Sequence, residues 1–257
     1  MKKYEQQRSF LKSNFHEFKK MKTDKQIGLL KPPIVKEYYL DSKIVTLPKP
    51  CSQVITQENI FNCIEERRST RFYSEECLSI DELSYLLWAT QGITGTNKAG
   101  LTLRTVPCSG ATHTFETYLF IMRVEGLQSG IYRYLPIEHK LLFMNELENI
   151  EQKIDAITLE QPFVPNFAKK AAVLFAWSTI PYRSEWKYDT TAHKKILIDV
   201  GHVCQNLYLT SESIGAGACA IGIYDQKLID EVLELDGEDE FVLYLGAVGK
   251  KRNKFPS

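Results

Sequence analysis

The sequence predicts an α+β fold with a central mixed or antiparallel sheet surrounded by helices, one of them long and buried. Three observations carry this. Helix and strand patterns alternate without a strict βαβ rhythm, several strand-like runs follow one another directly, and a single helical pattern extends from Thr191 to Ile214. At 257 residues, 44% apolar and 25% charged, the chain has the composition of a globular protein with a large core.

Taken in order, Phe10, Leu11, Phe15, Phe18 and Met21 recur at helical spacing among lysines and predict an amphipathic helix packed on its own domain. The stretch 31-KPPIVKEYYLDSKIVTLPKP-50 carries four prolines and reads as an extended strap. With Tyr38 and Tyr39 it has little core of its own and is expected to clasp a second subunit. Residues 1–55 are thus expected to form an N-terminal helix and strap, and residues 56–257 the compact domain. A helix from about Gln57 to Glu66 would turn Ile60 and Ile64 inward. A second begins at the capping-box pattern 79-SIDE-82 and stops at Gly92.

Strands are expected at 117–124, 131–135 and 140–144, the last two forming a hairpin through 136-PIEH-139. Residues 145–158 read as helix, and the continuous apolar run 171–179 as a buried strand. From Thr191 to Ile214, Ile196, Val200, Val203, Leu207 and Ile214 form the stripe of the longest helix, with Gly215 as its stop. A strand at 218–224, a short helix at 226–235 and a strand at 241–248 complete the chain.

Lys+Arg and Asp+Glu both number 32, so no global field draws the chain to nucleic acid or an anionic membrane, and any anion site must be local. No apolar run approaches the ~18–20 residues a span requires. The N-terminal lysines lack a following apolar region, so no secretory signal is expected and the default compartment is the cytoplasm. The six cysteines never form C-x-x-C or cluster with histidine at zinc spacing, so no metal is expected. Neither G-x-G-x-x-G nor a P-loop is present.

Three stretches carry chemistry. In 65-EERRSTRFY-73, Arg67, Ser69 and Arg71 have the fork and hydroxyl donors that suit a phosphate, against the plainer reading of a solvated helix end. The small residues Pro107, Cys108, Ser109 and Gly110 allow backbone N–H groups to approach a flat ligand, or form an ordinary loop before a strand. Lys187 and Tyr188 pair an amine with a phenol and suit proton transfer, although the dipeptide alone is common. His202 lies one position from the apolar stripe of the long helix and reads as a satisfied helix histidine rather than a catalyst.

The order of these stretches resembles the nitroreductase-like flavoproteins, and among them the SagB-type (thiazoline/oxazoline) dehydrogenases. The matching residues are R-R-S-x-R-x-Y at Arg67–Tyr73, the helix 83-LSYLLWATQGIT-94, and P-x-x-G-A with E-x-Y between Pro107 and Tyr118. Lys187-Tyr188, D-x-G-H-V-x-Q-N-L-Y-L at Asp199–Leu209, G-A-C-A-I-G-I-Y-D at Gly217–Asp225 and L-G-x-V-G at Leu245–Gly249 complete the set. The segment 15-FHEFKKMK-22 is similar to the family's N-terminal F-H-x-x-T-K. The resemblance implies a nitroreductase-like fold, an intertwined homodimer and an FMN cofactor. Arg67, Ser69 and Arg71 would hold its phosphate and ribityl chain, with Lys250 as a further cation, and Arg68 would face outward or pair with Glu65 or Glu66. Thr90, Gln91 and Gly92 would approach the flavin from their helix end. Pro107, Cys108, Ser109 and Gly110 would come from the partner subunit, and Ala220, Ile221 and Gly222 would lie along the ring. Lys187 and Tyr188 would be catalytic in oxidising a peptide azoline to an azole, within or beside a peptide-modification complex. The alternatives are an NAD(P)H-dependent nitro or quinone reductase acting on a small molecule, and a non-catalytic FMN-binding scaffold. The chain departs from the family pattern at Cys108, where serine is usual, at Thr114 for proline, and at Asp189 for glycine.

Overall fold

The computed structural model describes residues 3–13, 15–98, 101–159, 161 and 164–252, without the side chains of residues 15 and 17. The first two and last five residues of the expected segments lie outside it. Near the N-terminus, α1 (Glu5–Leu11) and α2 (Phe15–Phe18) replace the single expected helix: the chain leaves helical geometry at Lys12 (φ −78°, ψ 157°), and α1 buries no side chain. After the strap comes β1 (Ile44–Thr46), a short edge strand not anticipated from the proline-rich sequence.

α3 (Ile60–Glu66) starts later than expected because Asn59 caps it, its side chain accepting from the Phe61 N–H at 2.9 Å. The inward orientation of Ile60 and Ile64 is not observed. Cys63 is the buried face, and both isoleucines, each 59% accessible, lie with Phe61 on a side that this chain leaves uncovered. α4 (Ile80–Gln91) carries both halves of the capping box: Ser79 accepts from the Glu82 N–H, and Glu82 from the Ser79 N–H. A small hairpin follows, β2 (Ile93–Thr96) with β3 (Thr102–Arg104), which lacks alternating apolar residues and was not legible in the sequence.

The main sheet is built from β1, β4 (Phe115–Ile121), β5 (Gly130–Leu135), β6 (Lys140–Asn145), β7 (Val173–Thr179), β8 (Ala216–Ile221) and β9 (Phe241–Lys250). Its order is β1-β6-β5-β4-β7-β9-β8, and every pairing is antiparallel. The helices are α5 (Ile150–Ile157), α6 (Tyr182–Tyr188), α7 (Ala192–Ser213) and α8 (Gln226–Val232). α5 is shorter than the expected 145–158 because β6 claims Asn145.

Both faces of the central strands are buried, which is why β7 reads as a continuous apolar run rather than an alternating one. Its odd residues Val173, Phe175 and Trp177 pack with α4 and α7, while Leu174 and Ala176 pack with α5 and α8. α7 lies close on the sheet at Gly246, where a Cβ would fall 2.7 Å from Leu207 Cδ2, so a side chain there would push the helix away. α7 ends where its stripe ends, with Gly215 at φ 68°.

The strap is held by its own chain. Arg133 Nη2 donates to the carbonyls of Lys36 (3.2 Å) and Glu37 (2.8 Å), and Arg183 Nε to that of Pro33 (2.8 Å). Lys36 pairs with Glu240 at 2.6 Å. Tyr39 and Leu40, in contrast, are left fully open to solvent.

Candidate functional site

α3 ends at Arg67, and an extended segment then runs beside β8 and β9. The Thr70 N–H donates to the Ala218 carbonyl at 2.9 Å, and the Ser74 N–H to the Lys250 carbonyl at 2.9 Å. This docking fixes the arginine cluster. The Arg67 guanidinium stands 5.1 Å over the Tyr208 ring on α7, Ser69 Oγ lies 3.1 Å from the Tyr208 hydroxyl, and the same hydroxyl accepts from the Ala220 N–H at 2.8 Å. Arg71 lies 5.8 Å over Phe167. Arg68 turns back to the carbonyls of Glu65 (2.7 Å) and Arg67 (2.8 Å). Among the described residues none of these three arginines is ion-paired. An open cavity of about 840 Å³ adjoins them, lined by Ser69, Thr70, Arg71 and Lys251 among others. Lys251 is paired with Glu212, and Lys250 with Glu82, so both ammonium charges already have a carboxylate.

A second cluster forms where the loop after β3 meets α6 and α7. Asp199, buried on α7, accepts from the N–H and hydroxyl of Ser109. Gly110 (φ 65°) packs against the Lys-Tyr pair: a Cβ there would fall 2.1 Å from the Tyr188 hydroxyl and 2.6 Å from Lys187 Nζ. Lys187 Nζ donates to the Gly110 carbonyl at 3.0 Å. Burial raises the Tyr188 phenol above its usual range, with Cys108 and the Asp199 carboxylate adding to it. The Cys108 thiol is raised by burial and then by Asp199. Asp189, where glycine was the family's residue, adopts φ 49° and ψ −143°.

Gln91 joins this second cluster from the end of α4. Its Oε1 accepts from Arg104, its Nε2 is buried without a partner, and it shares a small buried space with Pro107, Cys108 and Asp199. Thr90 does not join it; its hydroxyl donates to the Leu86 carbonyl of its own helix at 2.8 Å. Gly92 is engaged with Trp88, its N–H donating to that carbonyl at 2.7 Å. Ala220 meets the first cluster through Tyr208, Ile221 is buried in the α5/α8 side of the core, and Gly222 is exposed.

The two clusters stand apart. Asp199 and Tyr208 are nine positions apart on α7, two and a half turns, so they project from opposite sides of the helix, ~13 Å apart along it. Asp199, Tyr208 and Lys251 were not singled out from sequence. The first two lie inside the Asp199–Leu209 motif, but nothing in a linear string says that one will meet Ser109 and the other Ser69.

Among the described residues no helix is long and apolar enough to cross a membrane, and no group of three His, Cys, Asp or Glu residues could hold a metal.

A sheet of this order, with a basic cluster at one side of its long helix and a lysine–tyrosine pair at the other, defines a nitroreductase-type oxidoreductase fold, and the comparisons agree. The nitroreductase family model matches residues 64–250. A nitroreductase-named protein of Methanocaldococcus jannaschii is 31% identical over 186 residues, 72% of this chain and 88% of that one. The chain therefore belongs to the nitroreductase family and is an oxidoreductase of that family. In fold it is similar to a nitroreductase-named structure from Ralstonia eutropha (TM-score 0.67, 24% identity, 88% of this chain and 97% of that one). A second such structure, from Anabaena variabilis, gives a TM-score of 0.70 at 24% identity, over 84% of this chain and 43% of that one. The Escherichia coli microcin synthetase McbBCD complex with truncated pro-MccB17 bound also shares the fold (TM-score 0.61, 18% identity, 85% of this chain and 79% of that one).

Proposed function

We propose that this chain is an FMN-dependent dehydrogenase of the SagB type, oxidising azoline rings of a peptide to azoles, and that it works as an intertwined homodimer. The observation that carries the reading is the convergence of Lys187 Nζ and the Tyr188 hydroxyl on Gly110, beside Cys108 and the unpartnered Gln91 Nε2. The residues fit the cofactor. Arg71 and Ser69, which border an open cavity, and Arg67 beside them, none of the arginines ion-paired among the described residues, have the donors for its phosphate, with Lys250 and Lys251 nearby but paired. Gln91 Nε2 and the backbone of Pro107–Gly110 offer hydrogen bonds to a flat ring. Placement of the two clusters on opposite sides of α7 supports a site completed by the Pro107–Gly110 loop of a second copy. The uncovered Ile60, Phe61 and Ile64 supply apolar surface for that contact.

Bound FMN would accept the hydride of the oxidation. The chain's own residues would handle the proton: the Tyr188 phenolate oxygen, or the free amine of Lys187, removes it from the azoline ring carbon, and Gly110 keeps the approach open. The fold likeness to the microcin synthetase complex supports a peptide substrate. The name of the Methanocaldococcus jannaschii relative favours a second reading, reduction of a nitro compound or quinone by NAD(P)H. The test begins with the visible spectrum of the purified protein and the mass of the released cofactor. It continues with an azoline peptide assayed on Lys187→Met and Tyr188→Phe variants. Oxidation lost in both supports the dehydrogenase. Rapid NAD(P)H turnover indifferent to Tyr188→Phe points to the reductase, and a bound flavin that neither donor nor azoline reduces points to a scaffold. A colourless protein unable to take up FMN rejects all three.

A further inference from the structure

The Lys-Tyr pair has a third basic neighbour that its motif does not include. α7 opens with 192-AHKK-195 and has no acidic residue in its first turn, although a helix N-terminus disfavours cations. Lys195 bends back from there. Its Nζ donates to the carbonyl and the hydroxyl of Thr191, at 3.1 Å each, and stands 4.5 Å from the centroid of the Tyr188 ring. That is closer than Lys187 Nζ, which lies 5.3 Å from the same centroid and donates to Gly110. Every element around Tyr188 contributes a group: Lys187 from α6, Lys195 and Asp199 from α7, Cys108 from the loop, and the Phe18 ring 6.1 Å away from the N-terminal segment. Asp199 and Cys108 oppose ionisation of the phenol, and both oxygens of Asp199 are engaged by Ser109. The two ammonium groups favour it. Burial lowers the Lys195 amine, and the Asp199 carboxylate one turn on opposes part of that shift.

We propose that Lys195 is a positioning residue for Tyr188: its ammonium holds the phenol ring by a cation–π contact and stabilises the phenolate once the proton has left. This rests on the reading of Tyr188 as a proton acceptor, but it is tested without turnover. The ionisation of Tyr188 is followed by ultraviolet difference titration of the full-length protein, subtracting the matching Tyr188→Phe variant so that one phenol among the 13 tyrosines is seen. With Lys195→Met the phenolate fraction at a given pH is expected to fall roughly tenfold, and Lys195→Arg to restore it. Lys195→Gln keeps a donor toward Thr191 and is expected to behave as the methionine variant does; it serves if that variant fails to fold. Titration of Lys195→Met or Lys195→Gln that superimposes on the wild type overturns the proposal. Azoline oxidation surviving Tyr188→Phe overturns the catalytic reading instead, and the titration still decides what Lys195 does to the phenol.

Discussion

Asp199 on α7 accepts two hydrogen bonds from Ser109, at 2.8 Å from the backbone N–H and at 3.0 Å from the hydroxyl. One carboxylate thereby fixes the loop that carries Cys108 and Gly110, and sets the charge felt by the thiol beside it.

Asp199→Asn keeps the shape and removes the charge. The Cys108 thiol, held high by burial and by this carboxylate, should then ionise at lower pH. Alkylation of Cys108, followed by peptide mass mapping against pH, should be faster in the variant, with a stability loss of about 1–2 kcal/mol from the weakened Ser109 bonds. An unchanged alkylation profile would remove Asp199 as the cause.

Arg183 and Glu116 meet at 2.7 Å with side chains only 3% and 5% accessible. Arg183 also donates to the Pro33 carbonyl at 2.8 Å and the His113 carbonyl at 3.1 Å. Arg183→Met leaves a buried carboxylate alone and should cost about 3–5 kcal/mol in urea unfolding. Adding Glu116→Leu to it should return part of that loss, since the orphaned charge is then gone.

Asp189 takes a backbone conformation that glycine adopts without strain and other residues only at a cost (φ 49°, ψ −143°). Relief of strain of about 1–3 kcal/mol outweighs the extra freedom of an unfolded glycine, roughly 0.5–1 kcal/mol. Asp189→Gly should therefore raise stability by about 1 kcal/mol, read as a shift in the urea midpoint at constant slope. A lower midpoint would mean that the Asp189 side chain, which accepts from the Thr190 N–H, matters more than the strain.

His113 is buried, with Nε2 donating to the Thr102 carbonyl at 3.0 Å and Nδ1 without a partner. Burial, and then the charge of Arg104, pull its pKa from 6.5 down to about 4. The folded state thus prefers the neutral ring, and the unfolded state binds the extra proton between those values. The stability involved is present above pH ~6.5 and is lost as pH falls toward 4, by roughly 2–3 kcal/mol. His113→Asn suits the positive φ of 49° and should flatten the stability profile across that window relative to the wild type. Parallel profiles would assign the acid sensitivity elsewhere.

The elements with strong periodicity were legible in the chain itself. The α7 stripe from Ile196 to Leu207, the Ser79/Glu82 capping box and the apolar run of β7 are each dictated by local spacing. What failed was information that lives in another element. Ile60 and Ile64 have the spacing of an inward face, but α3 rests on α7 through Cys63. The β2/β3 hairpin is held by pairing rather than by alternation, and β1 exists because β6 offers it an edge. In the site, the residue types of the arginine cluster and of Lys187-Tyr188 suggested chemistry, whereas the partners that hold them, Tyr208 and Asp199, are visible only once α7 is placed.

The strap has a consequence for how the chain is made. The Lys36 ammonium finds Glu240 204 residues later, and the carbonyls of Pro33, Lys36 and Glu37 wait for Arg183 and Arg133. At a synthesis rate of ~5–20 residues per second, roughly 10–40 s pass between the two ends of the Lys36–Glu240 contact emerging. Until Arg133 emerges, Tyr38, Tyr39 and Leu40 travel with a segment that has nothing of its own to hold. Arg133 and Arg183 emerge before Glu240, so a ribosome stalled before β9 would present the strap held at its carbonyls but without its ion pair, and β8 without the strand that joins it to β7.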